Sequence, residues 1–190
     1  MEKIDTGTDH LLLEKGDGIA VLTMNRPEAR NAMSGEMNEA MQRILAEVEV
    51  DPEVRCVVLT GAGNGFCAGG DVLAVVENRG DKAFMHEVYR CEYVVDQLIH
   101  RYPKPLIPLM DGIVMGGGAG LMFASTYKIA TERAKFAMPE IGVGLFPDVG
   151  FTSVIKDLPE GLGLYIMLTA SPLDASELRF CNLVDSFFIS

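Results

Sequence analysis

The chain has 190 residues, long enough for one domain with a buried core, and its 48% hydrophobic and 23% charged residues describe a folded polypeptide rather than a disordered one. Its net charge of −11, from 16 basic and 27 acidic residues, excludes the basic surface that nucleic acid requires. No apolar run reaches the ~18 residues of a membrane span, and the cysteines (Cys56, Cys67, Cys91, Cys181) are scattered without a CxxC pair, which argues for reduced thiols rather than a disulfide frame or a metal site.

The opening stretch MEKIDTGTDHLLLEKGDG is acidic and lacks the apolar centre of a secretory signal, so the expected compartment is the cytoplasm. Residues 18–25 (GIAVLTMN) and 54–61 (VRCVVLTG) read as buried strands, being β-branched runs closed by Asn or Gly. Between them Met37, Met41, Ile44, Leu45 and Val48 fall at helical spacing, with Ser34 as the N-cap. Residues 60–72 (TGAGNGFCAGGDV) form a glycine-rich turn in which Gly70 presents a bare N–H and Asp71 caps a following helix. A helical pattern covers roughly 82–100, then 104–115 (KPLIPLMDGIVM) reads as a strand that Pro105 and Pro108 confine to an edge or an irregular section. Gly116, Gly117 and Gly118 open a helix over about 116–125; YKIATE and AKFAMPE give two short strands, and 160–169 a last helix. Strand and helix alternate throughout, which makes the fold class α/β.

The chemistry gathers at glycines and acids. Read alone, the glycine triplet suits either a tight strand-to-helix turn or a cluster of N–H donors at a helix start, where an anion or a developing oxyanion is stabilised. No GxxxxGK[ST] loop supports nucleotide binding, and no G-x-S-x-G elbow supports a serine hydrolase. His10, His86 and His100 lie away from the glycine runs in sequence. Glu140 and Asp148 sit in FAMPEIGVGLFPDVGF, otherwise nearly all apolar; this is either Pro-Glu and Pro-Asp turn chemistry or a pair of acids whose pKa burial would raise toward acid/base work. Two glycine loops that each supply one N–H to a carbonyl oxygen, with carboxylates beside them, point to acyl or thioester chemistry and to no particular substrate.

At NRPEARNAMS (25–34), GFCAGGDV (65–72), YPKPLIPLMDGIVMGGGAGL (102–121) and FAMPEIGVGLFPDVG (136–150) the chain resembles the crotonase (enoyl-CoA hydratase/isomerase) superfamily, and most strongly its 3-hydroxyisobutyryl-CoA hydrolase branch. The resemblance covers nearly the whole chain. It implies a spiral of ββα turns over 1–190 that forms an acyl-CoA-binding core without the C-terminal helical region of the family. It implies oxyanion donors at the N–H groups of Gly70 and Gly117. Gly120 stands where hydratases carry the first of two glutamates, which argues against ordinary hydration. Glu140 matches the retained glutamate that attacks the thioester or activates water, and Asp148 an acid of the hydrolase branch that orients the 3-hydroxyl or helps to move the proton. The implied activity is hydrolysis of a short 3-hydroxyacyl-CoA, foremost 3-hydroxyisobutyryl-CoA in valine catabolism. An enoyl-CoA isomerase or hydratase and a non-catalytic crotonase-fold binding protein stay as alternatives. No metal and no cofactor beyond CoA as part of the substrate are expected, and no membrane. Arg26 and Lys104 are candidates for the CoA phosphates. The chain departs from the branch at Phe151-Thr152, where further glycine usually follows. Without the C-terminal helices, the apolar surface around 140–170 is expected to be uncovered and the chain to be a homo-oligomer.

Overall fold

The structure, a computed structural model, describes residues 1–189. The chain opens with β1 (Glu2–Ile4), β2 (Leu11–Gly16) and β3 (Ile19–Met24), followed by α1 (Gly35–Val50), β4 (Cys56–Gly61), β5 (Gly65–Cys67), α2 (Val72–Glu77) and α3 (Lys82–His100). Then come β6 (Leu106–Met110), β7 (Ile113–Met115), α4 (Gly117–Ala124), β8 (Ile129–Thr131) and β9 (Lys135–Ala137). The last stretch holds α5 (Phe151–Val154), α6 (Leu162–Thr169), β10 (Leu173–Asp174), α7 (Ala175–Phe180) and β11 (Ser186–Phe188).

Two sheets result, one ordered β1-β2-β3-β4-β6-β8-β11 and the other β10-β9-β7-β5. Each consecutive pair, β4–β5, β6–β7 and β8–β9, sends its first strand to the large sheet and its second to the small one. A helical stretch then returns the chain to the next pair. That repeated step is the spiral of ββα turns expected from the resemblance, with parallel pairing from β3 through β8.

Local sequence explains the steps. Ser34 accepts a hydrogen bond from the Met37 N–H (3.1 Å) and starts α1, which buries Met37, Met41, Ile44, Leu45 and Val48. Each such side chain contributes about 1.5–3 kcal/mol by leaving water. The stretch 104–115 is not one strand: it breaks at Gly112 into β6 and β7, which lie in different sheets. Gly112 turns with φ +80, and a Cβ there would stand 2.2 Å from the Asn64 carbonyl oxygen, so only glycine allows the change of sheet. Nor is β6 an edge strand. Pro108 registers with Leu59 of β4, whereas pairing with β8 begins only at Leu109, so the missing proline N–H falls where that ladder has not started.

One cluster of buried apolar side chains extends from Leu11 to Val184. Within it Phe123 of α4 stacks on Phe151 of α5 (centroids 5.7 Å) and meets Phe136 of β9 edge-on (5.9 Å). This aromatic group underlies the turn that carries Asp148.

Candidate active site

The two glycine loops meet. After β5 the chain passes Ala68 and Gly69, the latter at φ +104, and Gly70 is bridged to Met33. The Met33 N–H donates to the Gly69 carbonyl (2.8 Å), and the Asp71 N–H donates to the Met33 carbonyl (3.2 Å). Asp71 caps α2 by accepting from the Ala74 N–H (3.2 Å), and Arg26 donates both to Asp71 and to the Ala32 carbonyl, each at 2.9 Å. From the other side Gly116 turns at φ +53 to begin α4. A Cβ on Gly69 would lie 3.1 Å from the Met115 carbonyl oxygen and 3.2 Å from the Gly117 nitrogen, so the two backbones touch through glycine. Among the described residues neither the Gly70 nor the Gly117 N–H donates within the chain. Two unsatisfied donors on adjoining loops form an anion-ready pair.

Acids line the same place. Glu140 begins a 3₁₀ turn (Glu140–Val143) and is buried, its Oε2 without a partner. A Cβ on Gly116 would stand 3.3 Å from its Oε1. Burial, with the negative charge of Asp148 nearby, pushes the Glu140 carboxyl up to about 7. Asp148 is half-buried and accepts a hydrogen bond from the Tyr93 hydroxyl of α3. Gly70, Gly117, Glu140 and Asp148 border one cavity of about 310 Å³, walled by apolar side chains including Val72, Val76 and Leu145.

The sequence reading missed α3 as a source of site residues. Glu92 is only 6% exposed, and its oxygens lie at the two donor glycines: a Cβ on Gly117 would come within 1.9 Å of Oε1, and one on Gly70 within 3.3 Å of Oε2. Burial pushes it up to about 7, with Asp148 and Glu140 adding repulsion. One turn later Asp96 is pushed up to about 8 by burial and by the charges of Glu92 and Asp148. A signal was present in the sequence, since two acids at i and i+4 on a helix repel and weaken it.

Other expectations resolve differently. Arg26 is engaged with Asp71, as above, and Lys104 donates to the Val48 and Asp51 carbonyls (2.6 and 2.7 Å) at the end of α1, so both cations have structural employment. His100, remote from the glycines in sequence, borders an outer cavity of about 590 Å³ together with Asp148, Asp96 and Gly120. All four cysteines are free thiols, and burial pushes Cys67, beneath the Gly69 turn, up to about 12. Among the described residues no group of three or more His, Cys, Asp or Glu is arranged to hold a metal ion, and no helix is long and apolar enough to cross a membrane.

Comparison with known proteins places this architecture. A family model described as enoyl-CoA hydratase/isomerase matches residues 19–190. The chain is 40% identical over 179 residues to 3-hydroxyisobutyryl-CoA hydrolase 1 of Arabidopsis thaliana, which covers 93% of this chain and 47% of that protein. It is 40% identical to the 3-hydroxyisobutyryl-CoA hydrolase of Xenopus tropicalis, named mitochondrial, over 93% of this chain and 46% of the relative. Among solved structures it superposes on a carnitinyl-CoA dehydratase from Mycobacterium thermoresistibile with a TM-score of 0.90 and 40% identity, over 95% of this chain and 54% of the other. The chain thus spans about half the length of the curated relatives it matches. With the spiral topology, the paired glycine loops and a family match across nearly the whole chain, the protein belongs to the enoyl-CoA hydratase/isomerase family.

Proposed function

We propose that the chain hydrolyses short 3-hydroxyacyl-CoA thioesters, with 3-hydroxyisobutyryl-CoA of valine catabolism as the foremost substrate. The observation that carries this reading is the meeting of two unsatisfied N–H donors, from Gly70 and Gly117, with the buried carboxyl of Glu140 in one cavity, while Gly120 brings no acid of its own. The thioester oxygen sits on the two N–H groups. Ionised Glu140 takes a proton from water as the water oxygen bonds to the carbonyl carbon, and the charge that develops on the carbonyl oxygen falls on the donors. Collapse breaks the C–S bond, and the CoA thiolate takes up the proton that Glu140 holds. Asp148, fixed by Tyr93, orients the 3-hydroxyl. The scheme uses CoA only as part of the substrate and calls on no cofactor. Direct attack by Glu140 is the variant of this scheme, and single turnover in ¹⁸O water separates the two by label in the Glu140 carboxylate.

The relatives named 3-hydroxyisobutyryl-CoA hydrolase support the substrate class. Similarity to a carnitinyl-CoA dehydratase favours a second reading, proton transfer on an enoyl or hydroxyacyl thioester without hydrolysis. Free thiol released from a panel of 3-hydroxyacyl-CoAs tests the first. Change in the ultraviolet absorbance of a conjugated enoyl-CoA, with no thiol released, would establish the second. Intact donors and Glu140 speak against a purely binding role. Free thiols suit a reducing compartment. We place the activity in the cytoplasm, and cell fractionation tests this against the mitochondrial location named for several relatives.

A further inference from the structure

We infer that Asp96 is a positioning residue of this site, a carboxyl that keeps its proton while the site works and so limits the negative charge facing the oxyanion donors. The inference rests on the thioester reading above. Two carboxyl groups of α3 lie over two glycines of α4. A Cβ on Gly117 would meet Glu92, and a Cβ on Gly120 would meet Asp96 at 2.9 Å (Oδ2) and 3.0 Å (Oδ1). The space a side chain at Gly120 would need is thus shared by the Asp96 carboxyl and the Val149 side chain (2.7 Å), and that at Gly117 by Glu92 and Met33.

Both Asp96 oxygens are shut off from solvent, and neither has a hydrogen-bond partner among the described residues. An ionised carboxylate so placed bears its full desolvation cost with no donor to offset it, whereas the neutral acid escapes most of that cost. The groups facing it reinforce the choice. Glu92 stands on the same helix and Asp148 on the turn before α5; both repel a charge on Asp96. Gly120, Phe123 and Ala124 of α4 bring no titratable group to the shared cavity, the Cys67 thiol of β5, which feels the charges of Glu92 and Asp96, is kept neutral by burial, and the basic side chains nearest along α3, His100 and Arg101, are exposed at its outer part. These surroundings push Asp96 up to about 8. Above that pH a new negative charge appears one helical turn from Glu92, the carboxyl that lies against the donor glycines, and adds to the negative field in which the thioester oxygen must become negative.

The test compares kcat/KM for thiol release at about pH 7 and about pH 9 in the full chain and in Asp96→Asn, which keeps the shape and cannot ionise. Wild type should fall roughly tenfold between these pH values beyond any loss in the variant, as the protonated share of one group drops from about nine-tenths to about one-tenth. Equal pH ratios in the two proteins would overturn the inference, because a merely structural role shifts both points together. Asp96→Ser serves as a second neutral variant should Asp96→Asn not fold. Independently of turnover, ¹³C NMR of aspartate-labelled protein should show a carboxyl that titrates near 8 and is missing in Asp96→Asn. Finding that carboxyl ionised at neutral pH overturns the inference whatever the activity. If it is protonated but wild type cleaves no thioester, the functional reading fails, and the positioning role fails with it.

Discussion

Glu92, Asp96, Glu140 and Asp148 reach the site from α3, from the turn after β9 and from the turn before α5, and among the described residues no lysine or arginine is paired with any of them. In the proposed hydrolysis Glu140 handles the proton. Glu140→Gln keeps the size and the hydrogen-bonding atoms but cannot accept that proton, so kcat should fall by at least about a hundredfold while the affinity for a CoA ester changes little. A near wild-type rate in thiol release would remove Glu140 from the chemistry and leave the fold assignment standing. Crowded acids also cost stability. Glu92 and Glu140 have folded-state values near 7 against an ordinary 4.5, so between these limits the folded chain holds more protons than the unfolded one. Stability from these groups is therefore greatest below about 4.5 and declines as pH rises through 7. Glu92→Gln, neutral at all pH, should raise stability at about pH 8 by roughly 1–3 kcal/mol and hardly at all at about pH 4.5. Urea unfolding at the two pH values checks this; an equal shift at both would mean that packing, not charge, sets the difference.

The helices and loops around the site owe their placement to glycines and to one ion pair. The turn that carries Gly70 is anchored by Arg26, which reaches from just after β3 to Asp71 (2.9 Å) and the Ala32 carbonyl. Without that anchor the turn keeps its backbone bridge to Met33 but loses its fixed angle to Gly117. Arg26→Ala should lower kcat roughly ten- to a hundredfold with a much smaller change in KM, because the Gly70 donor matters most when the oxygen carries charge. A KM increase with kcat preserved would mean that Arg26 serves substrate binding, as its candidacy for the CoA phosphates had it. This arrangement was partly legible beforehand. The helical spacing of Met37, Met41, Ile44 and Val48 marks α1, and the Gly70 and Gly117 loops announce themselves by composition. The break at Gly112 was hidden because its cause is the Asn64 carbonyl, far away in sequence. The interior position of Pro108 was hidden because it depends on where β8 begins to pair. The i, i+4 spacing of Glu92 and Asp96 is visible in the sequence, but their burial is not, because it depends on the glycines at 117 and 120 that let α4 pack so near to them.

On the scale of the whole molecule, an apolar surface runs beside the site. On α6, Leu164, Tyr165 and Leu168 face outward while Gly163 and Ile166 face the core, and α6 packs on the 3₁₀ turn at Glu140–Val143. Val143, Leu145 and Phe146 continue the surface, with Phe146 and Leu168 each about two-thirds exposed (69% and 66%). Side chains of this kind dispersed singly would be ordinary, but a contiguous patch beyond a few hundred Å² marks a surface that associates. Val143 and Leu145 also line the cavity bordered by Gly70, Gly117 and Glu140, so whatever covers the patch helps to wall the site from water. A second copy of the chain is always at hand to do this, and a stable contact needs roughly 1,000 Å² of buried surface. The chain should therefore appear as a defined oligomer in light scattering, dissociating on dilution, with thiol release per chain falling as it does. Leu168→Glu places a charge in the middle of the patch and should shift the mass toward monomer at concentrations where wild type is assembled, without touching Glu140 or either donor glycine. A monomer at every concentration with no binding of an apolar dye would show that the patch is self-sufficient in water. Polydisperse aggregation in place of a defined mass would show an apolar face that copies of this chain do not fit, and turnover would then be low because the cavity wall at Val143 and Leu145 stays open.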